Sequence, residues 1–177
     1  MLFRSFHDVE LSGRVKNGYH AVAIDEKRVS FEPTLWVDKQ KEGQIVEQMW
    51  FAGVHNDIGG GNPDRGLADL AIIWLKDKAE ACGLVFDNEY FTKIVAPNPL
   101  GKVHESLTWY YRMVGMLAAH KYDSIPGYSR IKGVMYRRIG GRTNERLHPS
   151  VMIKHNNSVP PYNPKNLLEY LKANRET

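Results

Sequence analysis

Residues 48–61 read Gln48-Met-Trp-Phe-Ala-Gly-Val-His55-Asn-Asp57-Ile-Gly59-Gly60-Gly61. The apolar run from Met49 to Val54, followed by a histidine and a glycine cluster, is typical of a strand buried on both faces of a parallel sheet. In open α/β sheets, ligands bind just beyond the carboxyl ends of such strands. The sequence therefore predicts a central strand over residues 45–54 that places His55 at a functional edge.

The strongest helical pattern follows the glycine cluster. Apolar residues from Leu67 to Cys82 recur on one face of a helix, and Gly83 follows as a residue type that commonly ends helices. A similar spacing, which includes Leu11 and Val15, predicts a helix over residues 8–24.

Weaker patterns predict the remaining elements. Residues 31–36 contain a proline and are expected to be extended. We expect helices over residues 106–119 and 166–173, a short strand over residues 134–139, loop with short elements over residues 84–100, and largely irregular chain over residues 140–166. Few strands among several helices favour the α/β class, and more specifically the carboxyl portion of a larger α/β domain.

Length and composition fit a single globular domain. The chain has 177 residues and one cysteine, so an internal disulfide is excluded, and Cys82 is expected to fill the core. Residues 1–5 are interpreted as a foreign or disordered start, and residues 6–177 as one domain. No apolar stretch is long enough to be a transmembrane segment, and the start lacks a signal-peptide pattern, so cytoplasmic synthesis is expected.

Charge is divided unevenly along the chain. Residues 1–119 carry 13 Lys and Arg against 16 Asp and Glu, a net charge of −3, whereas residues 120–177 carry 11 against 4, a net charge of +7. The basic part is either a solvated surface or a surface that attracts anionic lipid headgroups. No nucleic-acid partner is expected, because the chain has neither a compact Lys/Arg run nor a zinc-finger or RNA-binding motif.

His55 is the main candidate for chemistry. A histidine at the end of a buried strand can act as a general base, or it can simply bond loop backbone. Asp57 could orient His55, cap the glycine turn or bind a cation, but no further ligands at a recognised spacing accompany it, so neither a metal nor a cofactor is expected. Gly59, Gly60 and Gly61 predict a tight turn or a backbone site for an anion.

Other polar clusters are better explained by structure. Asp25, Glu26 and Arg28 are expected to form an ion-pair and capping cluster, and His20 to be a buried hydrogen-bonding residue. Ser106 is expected to be a helix N-cap. The segment His148-Pro-Ser150 is likewise interpreted as a turn and cap.

Several of these segments together resemble a known family. They are Tyr19-His20-Ala-Val-Ala-Ile-Asp25-Glu26-Lys-Arg28, Phe31-Glu-Pro33-Thr-Leu-Trp36, the block over residues 48–61, Leu67-Ala-Asp69 with Trp74, His104-Glu-Ser106, His148-Pro-Ser150-Val151 and Tyr162-Asn-Pro164-Lys-Asn166-Leu167. In this order they resemble an uncharacterised α/β-hydrolase group that contains the phospholipase effectors of type VI secretion systems (Tle1-like catalytic domain). The resemblance covers roughly residues 6–168.

This resemblance implies an α/β-hydrolase fold and ester hydrolysis by a Ser-Asp-His triad, with His55 as the triad histidine. Asp57 and the three glycines would support the loop that holds it. The family's nucleophilic serine lies in a Gly-x-Ser-x-Gly elbow, and this sequence contains no such elbow and no counterpart of the triad aspartate. The chain is thus expected to be the C-terminal part of the fold, inactive alone, with an N-terminal half as partner and a phospholipid ester as substrate. The resemblance also implies export by type VI secretion.

Two alternatives remain open from the sequence. The chain could be a non-enzymatic interaction or immunity-like module. It could also, with less support, be a metal-assisted hydrolase that uses His55 and Asp57.

Overall fold

Two strands, four helices, three strands and two helices follow one another along the described part of the chain. The computed structural model describes residues 11–28, 31–36, 40–117, 128–131 and 134–175. In chain order the described elements are β1 (Asn17–Ala23), β2 (Ile45–Phe51), α1 (His55–Gly59), α2 (Gly66–Ala81), α3 (Asn88–Ile94), α4 (Trp109–Leu117), β3 (Tyr128–Ile131), β4 (Val134–Arg137), β5 (Glu145–Leu147), α5 (Pro149–Asn157) and α6 (Lys165–Ala173).

A small parallel sheet organises the described part of the chain. The strand order is β1-β2-β5, and β2 pairs in parallel with both neighbours. The predicted central strand is confirmed, although it ends at Phe51 rather than Val54. Because Ala23 lies opposite Phe51, β1 and β2 end at the same edge of the sheet.

Helices cover both faces of this sheet. On one face Met49 and Phe51 pack against Ala71 and Trp74 of α2. On the other face Trp50 packs in a cluster with residues of α5 and α6; its buried members are Val22, Ile24, Ala52, Ile139, Val151 and Leu167. Trp50 is 0% exposed, which explains the continuous apolar run of β2, since a strand covered on both faces has no polar side. The mixed helix and strand architecture with a small parallel sheet is compatible with the α/β class, and the specific hydrolase topology stays a prediction.

Two buried polar side chains fix neighbouring segments to β2. The Gln48 amide donates to the backbone oxygens of Trp36 (3.0 Å) and Thr143 (2.8 Å), and its oxygen accepts from the Trp36 N–H (2.9 Å). The Trp50 ring N–H donates to the Glu145 carboxylate at 2.8 Å. These bonds attach the connection after β1 and the start of β5 to the central strand.

The helix predicted over residues 8–24 is wrong where the structure describes it. Residues 17–23 form β1, Leu11 and Val15 lie in the preceding loop, and residues 8–10 lie outside the described residues. The short apolar run that ends β1 suits a strand as well as a helix, and pairing with β2 decides between them. The helical spacing of Leu11 and Val15 with that run is therefore coincidental.

Helix α2 confirms the pattern that begins at Leu67, and it ends where Gly83 adopts a φ of +93°. The predicted C-terminal helix corresponds to α6, and the strand predicted over residues 134–139 corresponds to β4, which pairs with β3. The expected extended segment over residues 31–36 forms no strand.

The short elements expected over residues 84–100 are confirmed by α3, whereas two other predictions need correction. The stretch 140–166, expected to be largely irregular, contains β5 and α5. Short elements of this kind depend on contacts from distant residues, such as the pairing of β5 with β2, and leave little local signal. The helix predicted from Ser106 begins at Trp109, and its expected residues 118 and 119 lie outside the described part.

The expectation that Cys82 fills the core is also wrong. Cys82 is exposed at the C-terminal end of α2. The buried residues of α2 lie between Gly66 and Trp74, so the second half of the helix is more exposed, although its Lys78 still bonds Glu47 of β2 at 2.8 Å. None of the described helices is long and apolar enough to cross a bilayer. The expected start over residues 1–5 lies outside the described residues.

The exposure of Cys82 predicts that its thiol reacts in the native protein. We expect the folded chain to consume one equivalent of an aromatic disulfide reagent at a rate within about tenfold of that of the denatured chain, because the exposed thiol is accessible without unfolding. A thiol buried in the core would react only after the chain unfolds. Thiol release followed by absorbance with and without denaturant measures this ratio. Protection by several orders of magnitude would contradict the exposed position.

Candidate functional site

Charged side chains gather where β1 and β2 end. Asp25 and Glu26 follow β1, and the turn from Gly53 to Asp57 follows β2. Backbone pairing continues past both strands, since the Ile24 N–H donates to Phe51 O and the Asp25 N–H to Gly53 O, each at 3.0 Å. The two chain segments therefore stay side by side as they leave the sheet.

Three consecutive N–H groups after β2 are each bonded by a different carboxylate. The Gly53 N–H donates to Asp25 at 2.7 Å. The Val54 N–H donates to Asp57 at 3.0 Å, and the His55 N–H donates to Glu26 at 3.1 Å. A buried N–H without a partner is costly, and each carboxylate removes one such cost while fixing the backbone that leads to His55.

Asp25 accepts hydrogen bonds from the turn and from Tyr162. Burial raises its pKa, while hydrogen bonds from the Tyr162 hydroxyl (2.7 Å) and Gly53 act in the opposite direction. The same burial, with the neighbouring Asp25 charge, raises the pKa of Tyr162 well above its ordinary value. Asp25 thus bonds the turn and Tyr162 instead of joining the expected ion pair with Arg28.

Glu26 is the most heavily bonded carboxylate of the site. It is 2% exposed and forms a 2.8 Å ion pair with Arg28, which confirms that part of the expected cluster. It also accepts from the Ser106 hydroxyl at 3.0 Å. Burial alone would raise its pKa, but the bonds from Arg28 and His55 outweigh burial and lower the pKa to about 2. Glu26 is therefore a permanent anion at neutral pH.

His55 lies at the edge of the sheet and is exposed. It is the first residue of α1, and its ring packs edge-on against Phe31 with 5.2 Å between ring centroids. The Arg28 guanidinium lies over the face of the same Phe31 ring, 3.6 Å from the ring centroid. The sequence placed His55 correctly after the central strand, and its chemical role stays a prediction.

Asp57 caps the turn and bonds a different histidine from the one expected. One of its oxygens accepts from the backbone of Val54 and of His104, and the other accepts from Asn62 and from Nδ1 of His104, both at 2.6 Å. Of the three roles considered for Asp57, capping is the one that this geometry supports. Within the described ranges, no group of three or more His, Cys, Asp and Glu side chains is arranged to hold a metal ion.

The three glycines close helix α1. Gly59 is its last residue, Gly60 has a φ of +78°, and the Gly61 N–H donates to Asn56 O at 2.9 Å. A left-handed residue after a helix is a common C-terminal cap, and glycine adopts that conformation without steric cost. These contacts agree with the tight-turn interpretation.

His104 and Ser106 belong to the site although the sequence assigned them to a helix start. Ser106 precedes α4 by three residues and bonds Glu26, so its predicted N-cap role is wrong. No local pattern could reveal this, because Asp57 and Glu26 lie 47 and 80 residues away along the chain. The only available signal was that buried carboxylates need donors.

Two other histidines have structural positions. His148 caps α5 by accepting from the Ser150 N–H, as predicted, and burial lowers its pKa. His20 is half-buried, packs edge-on against Trp36, and its Nδ1 has no hydrogen-bond partner among the described residues. The expectation of a bonded, buried His20 is therefore not supported at Nδ1.

The low pKa of Glu26 predicts an acid-dependent stability. Its folded-state pKa lies below the ordinary 4.5, so Glu26 stabilises the fold above about pH 4.5 and this contribution is lost as the pH falls towards 2. The shift corresponds to about 3 kcal/mol. Urea unfolding at pH 7, 5 and 3 should show that Glu26→Gln loses about this amount at pH 7 and much less at pH 3, whereas the exposed Glu32→Gln changes little. Parallel pH curves for Glu26→Gln and the parent would contradict this.

The backbone of Gly53 predicts a steric test of the same turn. Gly53 has a φ of +125°, and an added Cβ would lie 2.6 Å from the Asp57 Cβ. Gly53→Ala should lower the free energy of unfolding by about 3 kcal/mol, since strain and a clash combine. Gly43→Ala is the matched control, because its φ is +69° with open space around it, and should cost about 1 kcal/mol. Equal losses would show that the contact with Asp57 relaxes.

Comparison with known proteins supports the resemblance found in the sequence. No curated protein and no solved structure matches the chain. A family model described as the catalytic domain of Tle1-like phospholipase effectors of the type VI secretion system matches residues 3–78. That segment contains β1, β2, His55 and most of α2, so the predicted family resemblance is confirmed over the part of the chain that builds this edge.

Proposed function

We propose that this chain supplies the histidine-bearing part of a serine ester hydrolase that acts on phospholipid esters. The match to a phospholipase effector family supports a phospholipase-type function. The observation that carries the finer assignment is the position of His55, exposed at the carboxyl edge of a parallel sheet with its backbone bonded by Glu26. Parallel α/β sheets place their reacting groups at that edge.

In this proposal His55 is the general base. Its imidazole takes the proton of a serine hydroxyl as the serine oxygen attacks the ester carbonyl, and it returns that proton to the leaving alcohol. The sequence contains no Gly-x-Ser-x-Gly elbow. The serine and the triad aspartate would therefore belong to an N-terminal half of the hydrolase domain, present in cis or as a partner chain.

The surroundings of His55 suit this role. Asp57 and the glycine turn hold the backbone on one side, and Glu26 holds it on the other. No carboxylate in the described part of the chain bonds the His55 ring, so the ring remains available to an acid from another segment. A histidine base needs such a partner to set its tautomer and orientation.

Cellular location follows from the same family match. The proposed protein is made in the cytoplasm and exported by the type VI secretion system, as the effector description suggests. Its lipid substrate would then be met in a target membrane. Metal-assisted hydrolysis has less support, because Asp57 bonds His104 and Asn62.

The test joins the chain to the nucleophile-bearing half of a catalytic domain of the same family. Vesicles that carry a fluorogenic phospholipid ester report hydrolysis. We expect little or no activity from the chain alone, activity from the joined protein, and a fall in kcat of about 10³–10⁴ for His55→Gln in the joined protein. His155→Gln is the control, since that ring lies on α5 and contacts the Tyr162 carbonyl.

Three results would count against the proposal. Undiminished hydrolysis in His55→Gln would remove the role given to His55. Vesicle binding without hydrolysis by the joined protein would favour the non-enzymatic interaction module. Hydrolysis by the chain alone that a chelator abolishes would favour the metal-assisted alternative.

A further inference from the structure

The turn that carries His55 is held by two carboxylates, and one short segment bonds both of them. Glu26 accepts the His55 N–H and the Ser106 hydroxyl. Asp57 accepts the Val54 N–H and both the backbone N–H and the ring of His104. The segment His104–Ser106 therefore contacts the two acceptors that fix the backbone on either side of His55.

The contact between the His104 ring and Asp57 is the shortest of these. Nδ1 of His104 lies 2.6 Å from one Asp57 oxygen, and the side chains are 27% and 1% exposed, respectively. A carboxylate this deeply buried depends on its donors, and half of the four hydrogen bonds to Asp57 come from His104. The ring of His104 thus supports the same oxygen pair that caps the turn.

We propose that His104 is a positioning residue for His55, acting through Asp57, and that Ser106 acts in the same way through Glu26. This inference rests on the proposed hydrolase function for its kinetic consequence. It gives a role to the His104-Glu105-Ser106 motif, which neither the family match nor the helix prediction explains. The Glu105 side chain forms an exposed 3.3 Å ion pair with Lys27 and accepts the Leu107 N–H at 2.9 Å, and it bonds neither Asp57 nor Glu26 among the described residues.

The physical reason is the precision that proton transfer requires. A displacement of a catalytic group by about 1 Å can cost roughly 10²-fold in rate. Without the His104 ring, Asp57 keeps a buried charge with fewer donors, so the turn shifts to admit water. The reacting imidazole is then misplaced while substrate binding elsewhere is unchanged, which lowers kcat more than it alters KM.

Two substitutions separate positioning from direct chemistry. His104→Ala removes the ring donor to Asp57. His104→Asn replaces Nδ1 with an amide N–H at a similar distance from the backbone, but the amide cannot take up or release a proton during catalysis. In the joined protein we expect His104→Ala to lower kcat about 30-fold with KM within about twofold, and His104→Asn to recover most of the loss. Ser106→Ala should lower kcat by a smaller factor, and Glu105→Gln should match the parent, because exposed ion pairs contribute little.

A second readout needs no activity and uses the 177-residue chain as it is. Amide hydrogen exchange at Val54 and His55 reports whether the backbone of the turn is held in place. The His55 ring signals are assigned by comparison with His55→Gln. We expect exchange to accelerate about tenfold or more in His104→Ala and to stay near the parent rate in His104→Asn and Glu105→Gln.

Each outcome decides the matter. Slow turnover and fast exchange in His104→Ala, both restored in His104→Asn, support positioning. Equal inactivity of both His104 variants with unchanged exchange would overturn it, since His104 would then act in the chemistry itself. Parent-like exchange in every variant would also overturn it. If the joined parent is inactive but exchange accelerates in His104→Ala alone, the proposed hydrolase function fails while the positioning of the turn stands.

Discussion

The hydrogen bonds that three carboxylates accept after β2 are the interaction on which the rest of the site depends. A parallel strand that ends at an open edge leaves successive N–H groups without a strand partner, and these must be bonded because the turn is buried. Asp25, Asp57 and Glu26 accept them in order. The alternative, backbone bonds to water, would release the turn from the sheet and leave His55 without a fixed starting point.

Three ionised carboxylates placed side by side would repel one another, and Glu26 and Asp25 are stabilised in different ways. Glu26 remains ionised because Arg28 is bound to it through two nitrogen atoms, and its pKa falls to about 2. Asp25 lies in a more apolar setting, where burial raises its pKa, and the Tyr162 hydroxyl supplies its donor. The pKa values of these two neighbouring carboxylates are thus shifted in opposite directions because their surroundings differ.

The sequence predicted the features that depend on local pattern. A buried apolar run marked β2 and the position of His55, and helical periodicity marked α2 and its glycine stop. Those signals are strong because β2 is covered on both faces and the first half of α2 is buried. Charge neighbours two residues apart, such as Glu26 and Arg28, were also within reach.

What the sequence missed depends on contacts between distant segments. The last residues of β1 could be strand or helix until β2 was beside them. Cys82 continued an apolar pattern past Trp74, the last buried residue of α2. The pairing of His104 with Asp57 joins positions 47 residues apart, and the sequence left the role of Asp57 open between orienting His55, capping the turn and binding a cation.

The bonds that the three carboxylates already make at this edge bear on which other groups would complete the site. Each of the three carboxylates around the turn is used to hold backbone, and Asp57 also holds His104. In the described part of the chain none of the three bonds the His55 ring, whereas Asp57 holds a turn N–H and the His104 ring at once. The acid that orients His55 would therefore come from another segment. The proposal of a separate nucleophile-bearing half, which also brings the aspartate, therefore gains support from how the carboxylates of this chain are already used.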